Sequence, residues 1–231
     1  MSCARNTRIF DLGASTLREL NSTLQQEGAE GAWEIHNPAG RHSLAVGLTQ
    51  PVSVTIDGHA GYYAAGMNQR ANVVVNGNAG QGVAENMMSG SVHVKGNAGS
   101  SAGATAHGGL LVIDGDAGAR CGISMKGVDI VVRGSVGHMS AFMAQSGNLV
   151  VCGDAGEALG DSLYETNIFV RGAVKSLGAD CEEKEMTPED IQNLTKLLSK
   201  GGVIDIKADE FRRYGSARKL YHFRVDNASA Y

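Results

Sequence analysis

The stretch Val73-Val-Val-Asn-Gly-Asn-Ala-Gly-Gln-Gly82 sets three glycines directly behind a short apolar run. A strand running into glycines is how a dinucleotide-binding unit opens, but that fingerprint reads G-x-G-x-x-G and begins a helix. Here the order is G-x-x-G-x-G, and Gly90 follows within eight residues of Gly82. A strand–helix–strand unit needs roughly 30 residues, so no crossover helix fits. The glycines are better explained if the whole unit recurs.

It recurs through most of the chain. Val54-Thr-Ile-Asp-Gly-His-Ala-Gly61, Val92-His-Val-Lys-Gly-Asn-Ala-Gly99 and Leu111-Val-Ile-Asp-Gly-Asp-Ala-Gly118 share its frame. So do Ile130-Val-Val-Arg-Gly-Ser-Val-Gly137, Leu149-Val-Val-Cys-Gly-Asp-Ala-Gly156 and Ile168-Phe-Val-Arg-Gly-Ala-Val-Lys175. The first glycines are Gly58, Gly77, Gly96, Gly115, Gly134, Gly153 and Gly172, each nineteen residues after the last. A fixed period near 20 signals a solenoid. Four and two residues before each of these glycines stands Val, Leu or Ile, a period of two that puts both on one face of a strand. Leucine-rich repeats place their residues differently, and helical repeats need a 3.6-residue period that is absent. The expected fold is all-β, a right-handed parallel β-helix of about seven 19-residue coils. At the strand spacing of roughly 4.8 Å, six steps give a rod of about 29 Å. The glycine columns are expected at corners with positive φ, and Ala60, Ala79, Ala98, Ala117 and Ala155 in a narrow interior.

Three regions follow. Residues 1–51 read as an N-terminal cap. Arg8-Ile-Phe-Asp-Leu12 reads as a strand. Thr16-Leu-Arg-Glu19 reads as a capping box opening a helix with Leu17, Leu20 and Leu24 on one stripe. Trp33-Glu-Ile35 and His42-Ser-Leu-Ala-Val46, joined by the turn 37–40, read as a hairpin. Residues 52–186 are the glycine-rich coils. Residues 187–231 are a helical extension: Thr187 and Pro188 start a helix with Ile191, Leu194, Leu197 and Leu198 on its apolar face, ending at Gly201-Gly202. The basic, aromatic segment Phe211–Val225, with Tyr214 and Tyr221, either docks on a partner or folds back on its own helix.

Composition removes several function classes. The net charge of −4 supplies no basic field for nucleic acid, and 5% aromatics supply few stacking platforms. No run approaches 18 apolar residues, so no membrane span is expected, and Met1-Ser-Cys-Ala-Arg-Asn-Thr-Arg8 lacks the apolar core of a signal peptide. A cytoplasmic location is the default expectation. Cys3, Cys121, Cys152 and Cys181 are widely separated, fall at different phases of the repeat and form no CxxC; they read as reduced thiols. None of the seven histidines stands three or four residues from another, and no G-x-S-x-G elbow occurs. Asp161 and Glu165 are readable as paired carboxylates or as turn residues, the latter being favoured, and the acidic run Asp180–Glu185 as a solvated loop rather than a metal site. No metal site, cofactor site or catalytic residue is expected in this chain.

Met67, Met87, Met88, Met125 and Met143 fall nine to eleven residues after the glycine of their coil. Stacked methionines either fill a core gap or form an adaptable contact surface. If one face of the rod meets a partner, these less regular segments are where to look, with Asn68, Arg70, Glu85 and Lys126 as the residues to substitute.

The seven glycine units, with Gly82-Val-Ala-Glu-Asn-Met-Met-Ser-Gly90, Gly118-Ala-Arg-Cys-Gly-Ile-Ser-Met-Lys-Gly127 and Gly156-Glu-Ala-Leu-Gly-Asp-Ser-Leu-Tyr-Glu165, resemble the C-terminal domain of the glutamate synthase large subunit. The coils cover over half the chain. With the ending Phe211-Arg-Arg-Tyr-Gly-Ser-Ala-Arg-Lys-Leu-Tyr221, the whole is similar to the stand-alone β-helix subunit of the N-methylglutamate synthase family. The resemblance implies a scaffold rather than a catalyst. Its partners would be a glutamine-amidotransferase-like subunit and a glutamate-synthase-like subunit carrying FMN and an iron–sulfur cluster. The reaction of that family joins methylamine to glutamate, giving N-methylglutamate and ammonia. Two alternatives share the fold: the β-helix subunit of formylmethanofuran dehydrogenase, and a free-standing polysaccharide-acting β-helix enzyme.

Overall fold

The computed structural model describes residues 7–219. One mostly parallel sheet of eleven strands runs through the described residues, its strands neighbouring one another in chain order except that the last two are exchanged. Strands β3 (Ser53–Ile56), β4 (Asn72–Val75), β5 (Ser91–Val94), β6 (Leu110–Ile113), β7 (Lys126–Val132), β8 (Ser146–Val151) and β9 (Asn167–Val170) each head one coil. They stack in register: Val54 pairs with Val73, Val73 with Val92, Val92 with Leu111, and so to Ile168, always nineteen residues on. A solenoid of about seven turns is therefore the architecture. The residues four and two before each glycine, such as Val54 and Ile56, are fully buried. A second line of contacts runs through Ala60, Ala79, Ala98, Ala117, Val136, Ala155 and Val174, each bridging the next in parallel.

The first-glycine column is held for a different reason than positive φ. Of its seven members only Gly58 has φ in the left-handed range, +139°. The others are required because the coils touch there. Gly96 N–H donates to Gly77 O at 3.1 Å, Gly115 to Gly96 at 3.0 Å and Gly153 to Gly134 at 2.9 Å. A Cβ on Gly77 would lie 2.9 Å from the carbonyl carbon of Gly58, closer than real side chains approach. Beside this column runs a ladder that pattern-reading did not single out. The residue after each first glycine accepts the N–H of its counterpart one coil on. His59 Nδ1 accepts from Asn78, Asn78 Oδ1 from Asn97, Asn97 from Asp116, Asp116 from Ser135, Ser135 Oγ from Asp154, and Asp154 from Ala173. Its sequence signal is a column of short acceptors, His, Asn, Asn, Asp, Ser, Asp, ending at Ala173.

The hairpin expected over residues 33–46 does not form. β1 (Arg8–Asp11) and β2 (Ala32–His36) pair parallel with one another, and β2 pairs parallel with β3. β2 thus heads a longer coil, with Ile35 twenty-one residues before its partner Ile56. The second half of the supposed hairpin is a corner, with φ of +56° at Ser43, +54° at Ala45 and +62° at Gly47. Between β1 and β2 lies α1 (Leu17–Gln25), opened by the expected capping box: Thr16 accepts from Glu19 N–H, and the Glu19 side chain accepts from Thr16 N–H. Leu20 and Leu24 are buried against the first coils and Leu17 is partly so.

At the other end, Thr187 and Asp190 form a second capping box on α2 (Pro188–Lys200). Leu194, Leu197 and Leu198 pack on Val131, Val150 and Phe169, the middle residues of β7–β9, and so cover the outer face of the last coils. Ile191, expected on the same stripe, is 38% exposed. The basic segment then turns back: β11 (Arg212–Ser216) inserts antiparallel between β9 and β10 (Cys181–Lys184). The acidic run Asp180–Glu185 is therefore largely this edge strand rather than a loop. The sheet crosses both boundaries drawn at residues 52 and 187.

Candidate functional site

The corner opposite the strands carries the most unusual backbone of the molecule. Three residues per coil, two apart, have φ between +50° and +75°, and they stack in three columns. The first is Tyr63, Gly82, Ser101, Arg120, Met139 and Ala158; the second is Ala65, Ala84, Gly103, Gly122, Ala141 and Gly160; the third is Met67, Asn86, Thr105, Ser124, Met143 and Ser162. Most are not glycine, although a left-handed φ costs an L-residue roughly 1–2 kcal/mol. Hydrogen bonds between coils hold the geometry and alternate in direction. Tyr63 N–H donates forward to Gln81 O, Ala65 back to Leu44 O, and Met67 forward to Glu85 O. The next coil repeats this through Gly82 to Ser100, Ala84 to Ala64 and Asn86 to Ala104.

This alternation turns the middle column inward, where Ala65, Ala84 and Ala141 are fully buried, and leaves most of the outer columns half-buried, with Met67, Arg120 and Met143 exposed. The methionines divide accordingly. Met87 and Met125 are buried core residues, whereas Met67, Met88 and Met143 are 44%, 48% and 42% exposed. Tyr62, at 57% exposed, stacks on His42 with ring centroids 4.5 Å apart. Strain of this kind, held by its surroundings, concentrates where a surface does something. A rigid backbone carrying flexible thioethers is suited to contact with a partner protein.

The residues expected at a partner interface are not all placed to meet one. Arg70 is exposed between this corner and β4, Lys126 is exposed at the start of β7, and Glu85 is half-buried between the columns. Asn68 is fully buried: its Nδ2 donates to Ala71 O at 2.8 Å and its Oδ1 accepts from Ala71 N–H at 3.0 Å, closing the bend before β4. Tyr214 is 2% exposed and belongs to the core; burial raises its hydroxyl pKa. Its strand, β11, pairs with β9 and β10, so Tyr214 does not reach outward. Tyr221 lies outside the described residues.

Groups with chemical potential are occupied structurally. Asp161 accepts from the Ser162 hydroxyl and from Ala179 N–H, while Glu165 pairs with Arg218 at 2.9 Å. Asp114 gathers His93 at 2.9 Å and Lys95 and Arg133 each at 3.6 Å from neighbouring coils. Burial pushes the thiols of Cys121 and Cys181 up to about 12 and that of Cys152 to about 11, so none is a thiolate near neutral pH. Among the described residues no cluster of three His, Cys, Asp or Glu side chains is arranged to hold a metal ion, and no helix is long and apolar enough to cross a membrane.

No family profile and no solved structure matches the chain. A curated relative does: Protein GlxC of Rhizobium meliloti (strain 1021) is 61% identical over 226 residues, spanning 96% of this chain and 99% of the relative.

Proposed function

The chain belongs to the GlxC family, and from that membership and its fold we propose that it is a scaffold subunit of a glutamate-synthase-related complex. In this role it carries neither cofactor nor catalytic residue. It fixes the relative placement of a glutamine-amidotransferase-like subunit and a subunit bearing FMN and an iron–sulfur cluster. The specific complex is N-methylglutamate synthase, acting on methylamine and glutamate in the cytoplasm. The observation that supports this reading is the stacked corner. Its outer left-handed columns carry exposed Met67 and Met143 and are flanked by exposed Met88, Arg70 and Lys126, of which Met88 and Lys126 lie in segments that carry the likeness to glutamate synthase. We assign partner contact to that surface.

The test is a tagged pull-down from the native cells, with an absorbance spectrum and mass spectrometry of the eluate. Flavin and iron–sulfur bands with two co-purifying chains of the expected kinds support the proposal, and an assay with methylamine and glutamate then identifies the reaction. Molybdenum or tungsten in place of flavin, or a colourless solitary chain, refutes it. The paired change Met67→Glu and Met143→Glu should release the partners while leaving circular dichroism unchanged. Retention of both partners would place the contact elsewhere.

A further inference from the structure

Asn76 and Gly77 form the chain's one Asn-Gly pair. They stand at the bend after β4, where Asn76 is exposed and Gly77 half-buried. Further along the first-glycine column, the N–H groups of Gly96, Gly115, Gly134, Gly153 and Gly172 each donate to the glycine carbonyl one coil back, at 2.9–3.1 Å. Gly77 N–H makes no such bond, nor any other to a described residue. The member of the column before it, Gly58, is the one with left-handed φ. The side-chain oxygens of Asn78 and Asn97 are held as acceptors in the ladder, whereas the Asn76 side chain bonds to no described residue. Asn76 and the nitrogen that follows it thus lie outside both devices that lock this corner.

We propose that Asn76 is a modification site, where the chain deamidates itself. The Gly77 nitrogen attacks Cγ, the side-chain carbonyl carbon of Asn76. The new C–N bond closes a five-membered imide, the N–H proton passes through solvent to the amide nitrogen, and ammonia leaves. Water then opens the imide. Breaking the bond from nitrogen to Cγ gives aspartate; breaking the bond to the main-chain carbonyl carbon gives isoaspartate. Two features favour the attack. Gly77 has no side chain to shield its nitrogen, and no bond between coils must break before that nitrogen turns toward Cγ. A water molecule on the N–H does not alter this, because at the surface it exchanges. The two products differ in effect. Aspartate already occupies this phase of the repeat at Asp57 and Asp114. Isoaspartate adds a main-chain carbon between two bonds that set the coil spacing, Asn76 N–H to Ile56 O at 2.9 Å and Gly96 N–H to Gly77 O at 3.1 Å, so it loosens the stack. The site is independent of the scaffold role.

The experiment ages the full chain in mildly alkaline buffer, folded and in urea, and follows each asparagine by peptide mass spectrometry and isoaspartate-specific enzymatic methylation. Lys95→Asn supplies an internal control. It puts a second Asn-Gly pair one coil on, at an exposed position where the Gly96 N–H is bonded to Gly77 O. In urea the two pairs should convert at similar rates. In the folded Lys95→Asn chain, Asn76 should convert at least tenfold faster than the introduced asparagine, and no more than tenfold slower than in urea. The isoaspartate form should melt below the parent, whereas Asn76→Asp should match it. Asn76→Gln should abolish the isoaspartate formed at this bend. Equal conversion of the two pairs in the folded chain would overturn the proposal, as would protection of Asn76 by more than tenfold relative to urea.

Discussion

Replacing Gly118 by Ala tests why the glycines recur. Gly118 does not have a left-handed φ, so alanine is acceptable to its own backbone. The added Cβ would stand 2.8 Å from Ser100 N and 2.9 Å from Gly99 C, both main-chain atoms of the preceding coil. That is about 0.5–0.6 Å inside the 3.4 Å at which ordinary contact begins. No rotamer change relieves it, so the coils must separate locally and loosen the bond from Gly118 N–H to Ala98 O, now 2.9 Å. Overpacking of this kind costs about 1–3 kcal/mol, and a backbone neighbour places the cost near the upper end. At about 2–4 °C per kcal/mol for a chain of this size, the melting temperature should fall by roughly 6–12 °C. The comparison is Gly31→Ala, where φ is +87° but nothing lies within 4 Å of the new Cβ; it should cost about 1–2 kcal/mol from backbone strain alone. Thermal and urea unfolding by circular dichroism measure both. If Gly118→Ala is neutral, or milder than Gly31→Ala, close approach does not explain the second glycine of each unit, three residues after the first.

Three further outcomes are expected. Asn97→Ala removes one rung of the acceptor ladder from the N–H of Asp116. On this exposed edge, where water can substitute, the loss should be about 0.5–1.5 kcal/mol in urea unfolding, with Asn97→Asp largely preserving the rung. Tyr214→Ala empties a fully packed position on β11; the loss should be about 3–5 kcal/mol, with faster amide exchange in β10 and β11 than in β4–β6. Burial raises Cys121, Cys152 and Cys181 from 9.0 in the open chain to about 11 or 12 in the fold. Their contribution to stability is complete below about pH 9 and is lost as pH rises toward the folded values, because only the unfolded thiols then ionise. Unfolding free energy should fall between pH 9 and 11, and a variant with these three cysteines changed to serine or alanine should show a shallower fall, the raised Tyr214 hydroxyl still contributing above pH 10.

The period was legible because a solenoid repeats its environment. Each coil meets the same neighbour nineteen residues away, so like packing demands wrote an aliphatic residue four and two places before a glycine seven times into the chain. The helix starts at Thr16 and Thr187 were legible for a local reason, since a capping box is complete within four residues. The segment over residues 42–46 was not. Its alternation imitates a strand, and hydrogen bonds to the following coil, such as Ser43 N–H to Tyr62 O, and from α1, such as Asn21 Nδ2 to Ser43 O, hold it in the left-handed corner. The same limit hid the exposure of Met67 and Met143 and the burial of Met87 and Met125, whose phases differ by one residue.

The sequence by itself determined the architecture, its register and its helix starts, since these depend on short-range geometry and on a repeat that is visible as such. The tertiary structure decided what each column is for. It put close contact rather than φ behind the first glycines, buried Asn68 and Tyr214, and set β11 between β9 and β10. Those outcomes depend on which atoms of distant coils and of the returning C-terminal segment come within a few ångströms of one another, and that proximity is not encoded in any local pattern.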